Sequence, residues 1–254
     1  MIYTAYEMIR DCRADRAEGW AYFVSNYVPV IRKLLEHYGA PAMLDRVLTD
    51  LRRPDALFQS LEPVPERWFI AELRQKLLAQ IEAPEPEIAI DLETVAAALE
   101  PLTLLEKQAS WLETMRYTAA EAGPILRMSP DTVQKIRDRA AELIRGKADA
   151  WRRGLLAENG AALGRAASET ATDQCATPKI FLDILDGRTT WRGREEMERH
   201  VGGCWHCIDH FCRMAEVVEL LRGIKPLSEA EAEPFRKLLG VETVKPRPRW
   251  KIWG

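Results

Sequence analysis

The chain has 254 residues, a formal net charge of −3 and 47% hydrophobic residues. This length leaves room for two or three small domains with apolar cores. The near-neutral charge gives no global nucleic-acid signature, so any DNA contact must come from a local basic face. No stretch approaches about 18 consecutive apolar residues, and the charged N-terminus lacks an apolar signal core. We therefore expect a cytoplasmic protein without membrane contact.

The first part of the chain predicts helices. Between Trp20 and Leu35, apolar residues recur at three- and four-residue steps, which is the spacing of a helix with a buried face. Pro29 is a candidate kink in this helix, and Gly39 is a candidate stop. Almost nothing in the chain suggests a strand, so the predicted fold class is all-α.

Composition also predicts domain boundaries. A proline-containing acidic stretch and a stretch of small and polar residues are typical of linkers. The predicted organisation is a helical domain at 1–82, a linker at 83–90, a second helical domain at 91–156, a linker at 157–172, a metal-binding domain at 173–224, and a helix with a basic tail at 225–254.

Residues 118–145 are typical of a helix-turn-helix. A first helix runs from Thr118 to about Leu126, and Ser129 can cap a second helix that has Pro130 at its first position. The predicted buried face of the second helix is Val133, Ile136, Ala140, Leu143 and Ile144. The predicted DNA-binding face is Asp131, Thr132, Gln134, Lys135, Arg137, Asp138 and Arg139. A plain helical hairpin is the alternative, because positive and negative charges nearly balance on this helix.

His200, Cys204 and Cys207 have the spacing of metal ligands. A CxxC loop can close both sulfurs around one Zn²⁺, and a histidine one helical turn earlier faces the same point. A structural zinc site needs a fourth ligand, for which Cys175 is the best candidate. The other candidates are His206, His210 and Cys212. Unligated cysteines, a redox pair or a copper site with these extra ligands are the competing interpretations.

Several of these stretches resemble known families. The run from Phe181 to Gly187, followed by the run from Glu195 to Cys207, resembles the zinc-binding anti-sigma domain, with its YLDGEL-like helix end and its HxxxCxxC motif. Residues 96–145 resemble region 4 of an extracytoplasmic-function type sigma factor of bacterial RNA polymerase. Residues 5–38 and 67–76 resemble parts of region 2 of the same family.

The resemblance implies a sigma-like transcription factor with an anti-sigma-like module fused behind it. Its implied partners are the RNA polymerase core and promoter DNA, which the helix-turn-helix would read. Its implied cofactor is Zn²⁺, bound by Cys175, His200, Cys204 and Cys207. The zinc domain would then regulate the factor in cis, and another sigma or regulator protein is a further candidate partner.

Three features depart from the family pattern, and one of them, the Gly123–Pro124 pair, favours an alternative together with the weak charge of the second helix. Pro124 lies inside the first helix and removes a backbone hydrogen bond. Arg127 occupies the usual position of the turn glycine, so it must adopt a positive φ unless the turn differs. The acidic helix of region 2 is not clear in residues 41–58. The alternative is a degenerate sigma-like adaptor or anti-sigma protein that binds proteins without recognising promoters. No phosphate-binding loop or hydrolytic triad is evident, so we do not expect an enzyme.

Overall fold

A computed structural model describes residues 3–53, 57–61, 64–81, 100–115, 117–144 and 166–241. In these ranges the structure is helical and contains no strand, which confirms the all-α fold class. The linker predicted at 83–90, most of the one at 157–172 and the basic tail lie outside the described residues. In chain order the helices are α1 (Ala5–Arg13), α2 (Ala17–His37), α3 (Leu44–Leu51), α4 (Leu57–Ser60), α5 (Glu66–Gln80), α6 (Leu104–Thr114), α7 (Ala119–Leu126), α8 (Pro130–Leu143), α9 (Pro178–Leu185), α10 (Trp191–Val201), α11 (Trp205–Gly223) and α12 (Glu229–Leu238).

The helices form two compact units. The first comprises Met1–Gln80 and Leu220–Gly254, and the second comprises Ile81–Glu219. The second unit therefore contains both the predicted helix-turn-helix and the predicted metal ligands. The domain ranges derived from composition remain predictions. Among the described residues, none of the helices combines the length and apolarity that crossing a bilayer requires.

The first unit has an aromatic core built around α2. Phe58 of α4 lies with its ring centroid 5.1 Å from that of Trp20 and 5.3 Å from that of Phe23. Phe69 of α5 lies 5.1 Å from Tyr27 in an edge-to-face arrangement, which is a favoured geometry for aromatic pairs. All five side chains are buried. The periodicity of the sequence predicted these buried residues of α2 correctly, but not that α2 is buried on all sides from Gly19 to Val28.

The end of α2 confirms the predicted stop at Gly39. This glycine adopts a φ of 71°, and its N–H donates to the Glu36 carbonyl at 3.1 Å. The next N–H, that of Ala40, donates to the Leu35 carbonyl at 2.8 Å. These two bonds form the Schellman motif, which favours glycine at the left-handed position.

In the second unit, local capping defines the helix-turn-helix. Thr118 and Glu121 form a reciprocal capping box at the start of α7. The Ser129 side chain accepts a hydrogen bond from the Thr132 N–H, and Pro130 is the first residue of α8. α6 packs against both α7 and α8. The predicted helix boundaries and the Ser129 cap are therefore confirmed.

The turn between α7 and α8 places a non-glycine residue in the left-handed region. Arg127 has a φ of 59° and a ψ of 44°, so this residue bears the strain that the sequence indicated. Its guanidinium donates a hydrogen bond to the Leu185 carbonyl at 2.7 Å. The Met128 N–H donates to the Gly123 carbonyl at 2.8 Å. A Cβ atom at Gly123 would lie 2.9 Å from the Met128 carbonyl oxygen, so a side chain does not fit there.

We expect Gly123→Ala to destabilise the second unit by about 1–3 kcal/mol, the usual cost of forcing extra atoms into a packed position. Urea unfolding followed by circular dichroism measures this change. Arg127→Gly is the matched control, because it relieves the left-handed strain but loses the hydrogen bond to Leu185. Its net effect should be smaller than that of Gly123→Ala. A Gly123→Ala protein as stable as the parent would contradict the close approach of this turn.

Candidate metal centre

Four side chains from separate parts of the second unit converge on one point. Cys175 lies in the loop before α9, His200 in the last turn of α10, Cys204 in the turn that follows, and Cys207 in the first turn of α11. Their ligand atoms all lie within 4.8 Å of one another. The sulfur atoms of Cys175 and Cys204 are 3.6 Å apart, close to the roughly 3.8 Å expected for two thiolates on one tetrahedral zinc. This group could bind one metal ion.

The connection between α10 and α11 places three of these residues. The Thr190 side chain caps α10 by accepting a hydrogen bond from the Gly193 N–H. After Val201 the chain turns tightly, and the Gly203 N–H donates to the His200 carbonyl at 3.0 Å. The new helix starts at once, since the Ile208 N–H donates to the Cys204 carbonyl at 2.9 Å. This short turn brings the imidazole and the CxxC pair to the same side.

The protein environment of His200 fits metal coordination. Its Nε2 atom is buried and makes no hydrogen bond within the described part of the chain. Burying a polar nitrogen without a partner costs free energy, and native structures rarely leave such atoms unsatisfied. A metal ion bound together with the three sulfur atoms would satisfy this nitrogen.

Cys175 lies in an environment that favours its thiolate. Partial burial raises the pKa of this thiol, but hydrogen bonds from the Thr172 hydroxyl and backbone N–H outweigh it, and the neighbouring His200 and Cys204 lower it further. The result is a pKa of about 6. The Thr172 N–H lies 3.2 Å from the sulfur. This environment favours the thiolate, the form that binds metals.

The other two thiols are shifted in the opposite direction. Burial raises the pKa of Cys204, and the neighbouring Cys175 adds to the shift. Burial also raises the pKa of Cys207, and the charges of Cys204 and Cys175 raise it further. Crowded thiolates repel one another, whereas a divalent cation between them favours deprotonation of all three. The donor set therefore has the chemistry of a cation site.

The alternative fourth ligands lie outside this group. The Nδ1 atom of His206 is 3.3 Å from the Ser168 carbonyl oxygen, and burial lowers the pKa of this histidine, with Arg213 lowering it further. The His210 ring packs 5.0 Å from the ring of Phe181. Cys212 is buried. Of the four candidates, the structure brings only Cys175 to His200, Cys204 and Cys207 within the part of the chain that it describes.

The metal-binding segment, which is α9–α11 with the loop before α9, packs directly on α6 and on the turn of the helix-turn-helix. Trp205, which lies between the two cysteines of the CxxC loop, has its ring 5.0 Å from that of Trp111 in α6. The Lys107 ammonium of α6 donates to the Gly202 carbonyl at 2.6 Å. Together with the bond from Arg127 to Leu185, these contacts connect α6 and the α7–α8 turn to α9, α10 and α11.

A buried polar network reinforces this contact. The Trp111 indole N–H donates to Asp209 Oδ1 at 3.2 Å. Asp209 also pairs with Arg213 at 3.1 Å, and both side chains are almost fully buried, at 1% and 5% exposure. One further turn along α11, Glu216 accepts a hydrogen bond from the Tyr117 hydroxyl. The sequence analysis missed these residues. Their signal is the spacing of 209, 213 and 216, which places three charged residues on one face of α11.

The exposed face of α8 differs from the predicted one at two positions. Arg137, predicted to contact DNA, is 6% exposed, and its guanidinium donates to the carbonyls of Ala109 and Tyr117. Leu143, predicted to be buried, is 47% exposed. The predicted exposure of Arg137 is wrong because its guanidinium satisfies two backbone carbonyls on the inner side of α8. The predicted burial of Leu143 is wrong because, at the end of α8, Ile144 takes the buried position.

The other predicted DNA-binding residues are exposed. They are Asp131, Thr132, Gln134, Lys135, Asp138 and Arg139. Gln134 donates to Asp138 at 2.9 Å, and Arg139 pairs with the buried Glu106 at 3.1 Å. The face is therefore polar, open and close to neutral in charge.

The fold and site together define an all-α protein in which a segment with a candidate metal centre packs against a helix-turn-helix. Comparisons of the chain with protein-family models, curated proteins and solved structures find no match. The resemblance to sigma and anti-sigma families thus remains an expectation from the sequence.

Proposed function

We propose that this chain is a sigma-like transcription factor, acting in the cytoplasm, that directs core RNA polymerase to promoter DNA and is regulated in cis by its metal-binding segment. The observation that carries the proposal is the association of a capped helix-turn-helix with a three-cysteine, one-histidine group in one compact unit. An open polar face on the second helix suits contact with the major groove. The metal-binding segment packs on α6 and on the α7–α8 turn, where it can control this arrangement.

We further propose that the bound metal is zinc. Three thiolates and one imidazole form a donor set that is common in closed, tetrahedral structural zinc sites. A copper site enlarged by His206, His210 and Cys212 has less support, because these residues lie outside the group. When bound, zinc would supply a structural cross-link, since its binding free energy becomes folding free energy. Cys175, His200, Cys204 and Cys207 would hold it.

The contacts indicate which surface the zinc segment would mask. Lys107 and Trp111 of α6 and Arg127 of the turn meet the segment, whereas the outer face of α8 stays exposed. The zinc-binding segment is therefore expected to regulate binding at the surface of α6 more than the base contacts of α8. In this proposal the masked α6 side binds polymerase, and DNA recognition remains with α8.

Polymerase binding by the full chain tests this proposal. Zinc-loaded wild type should be compared with full-length Cys204→Ser and with chelator-treated protein. Loss of zinc is expected to uncover α6 and so to raise the affinity of the protein for core polymerase by about tenfold, within the usual range of coupling between sites. A Cys212→Ala protein is the control, since Cys212 lies outside the metal group. Core polymerase that binds none of these forms would contradict the proposal.

The alternative function is an adaptor or anti-sigma protein. It is favoured by the near-neutral face of α8, where Arg137 is buried and Arg139 is paired with Glu106. DNA affinity depends strongly on cationic groups that neutralise phosphates. In this alternative the protein binds another sigma factor or a regulator, and the experiment above gives no polymerase binding in any form.

A further inference from the structure

A proline inside α2 leaves one backbone carbonyl of the first unit without its usual donor in the helix. In a regular helix, the carbonyl of Ser25 accepts the N–H of residue 29. Residue 29 is proline, which has no N–H and whose ring pushes the carbonyl four residues earlier aside. The Leu227 N–H, from the far end of the chain, donates to this carbonyl at 2.8 Å. Pro29 thus creates the acceptor that a distant segment uses.

The segment that makes this bond is the short helix α12 together with the non-helical arm that precedes it. Residues 224–228 are not helical, and α12 follows them. Ser228 and Glu231 form a capping box at its start. Arg236 pairs with Glu229 at 2.6 Å, and Gly240 ends the helix with a φ of 64°. These local interactions define both ends of α12, but a helix of 10 residues with Pro234 inside it also needs its packing contacts to be stable.

α12 packs on a surface of the first unit, here called its seat, through polar and apolar contacts. The Arg32 guanidinium of α2 lies 5.5 Å from the centre of the Phe235 ring, a cation–π geometry. Ala232, Leu239 and Val241 are buried. At the end of the helix, a Cβ atom at Gly240 would lie 3.4 Å from the Arg52 guanidinium. This is ordinary van der Waals contact, so the preference for glycine at 240 comes from its positive φ of 64° rather than from lack of space.

We propose that this face of α2 is an interaction surface whose latch is the Ser25 carbonyl opened by Pro29. Its occupant in this chain is the segment 224–241, which pairs the Leu227 N–H with the carbonyl and the Phe235 ring with Arg32. Pro29 is a positioning residue, and the inference goes beyond the proposed function without depending on it.

Hydrogen exchange in the full-length protein tests the latch. In Pro29→Ala, the new N–H of residue 29 competes for the Ser25 carbonyl within α2. The Leu227 amide is then expected to exchange about tenfold faster, the scale set by loss of one net hydrogen bond. The global stability of the unit should stay equal or rise, because alanine suits a helix interior better than proline. Pro124→Ala makes the same change in α7 and should leave the Leu227 amide unaffected.

A second variant tests the seat separately. Phe235→Leu keeps α12 apolar at this position but removes the ring beneath Arg32, so the α12 amides are expected to exchange several-fold faster. An unchanged Leu227 amide in Pro29→Ala would overturn the latch, whatever happens in Phe235→Leu. Unchanged α12 amides in Phe235→Leu would overturn the aromatic requirement.

Discussion

Replacing Cys204 with serine is expected to abolish zinc binding and to unfold the α9–α11 segment. The substitution removes a thiolate ligand from the centre of the group, 3.6 Å from Cys175. Structural zinc contributes about 10–16 kcal/mol in zinc-finger peptides, which matches the whole stability of a typical domain, about 5–15 kcal/mol. Metal analysis should show one zinc per chain in the wild type and almost none in the variant. Thermal unfolding should show the matching loss of a cooperative transition.

Cys212→Ala is the control for this prediction. Cys212 is buried in the same helix as Cys207 but lies outside the metal group. Its replacement should cost only the packing of a small side chain and leave the zinc content unchanged. Full zinc content and wild-type stability in Cys204→Ser would show that the group does not hold the metal.

Asp209→Ala is expected to destabilise the second unit by about 3–5 kcal/mol, the usual cost of removing one partner of a buried ion pair. The change takes away the carboxylate that faces the buried Arg213 and the acceptor of the Trp111 indole N–H. Both groups are too deeply buried for water to replace the lost oxygen atoms easily. Urea unfolding of the zinc-loaded protein measures the effect.

Two further variants separate the sources of this loss. Asp209→Asn keeps an acceptor for Trp111 but removes the charge, so it should cost less than the alanine change. Arg192→Ala breaks an exposed pair with Glu196, and such pairs contribute only about 0.3–0.5 kcal/mol. Zinc content should be measured in parallel, since Asp209 lies two residues from Cys207. A loss below about 1 kcal/mol in Asp209→Ala would mean that the network does not hold the segment on α6.

Local features of the fold followed from sequence patterns. The Ser129 cap, the left-handed Arg127 and the stop at Gly39 were all predictable, because each depends on backbone geometry within a few residues. The spacing of His200, Cys204 and Cys207 likewise indicated a metal site, since one helical turn and one short loop are enough to bring them together. The apolar period predicted the large buried side chains of α2, but the all-round burial of Gly19–Val28 depends on the elements packed around the helix.

Contacts between distant segments were decided only by the tertiary structure. The sequence left four candidates for the fourth ligand, and only the packing of the loop before α9 brings Cys175 to the other three. The charge of Arg137 predicts exposure, yet its side chain is buried, where it donates to two carbonyls on the inner side of α8. The carbonyl that Pro29 frees is visible in the sequence, whereas its donor, Leu227, is not. Local spacing determines which groups are available, but pairing across long separations depends on which surfaces meet when the chain folds.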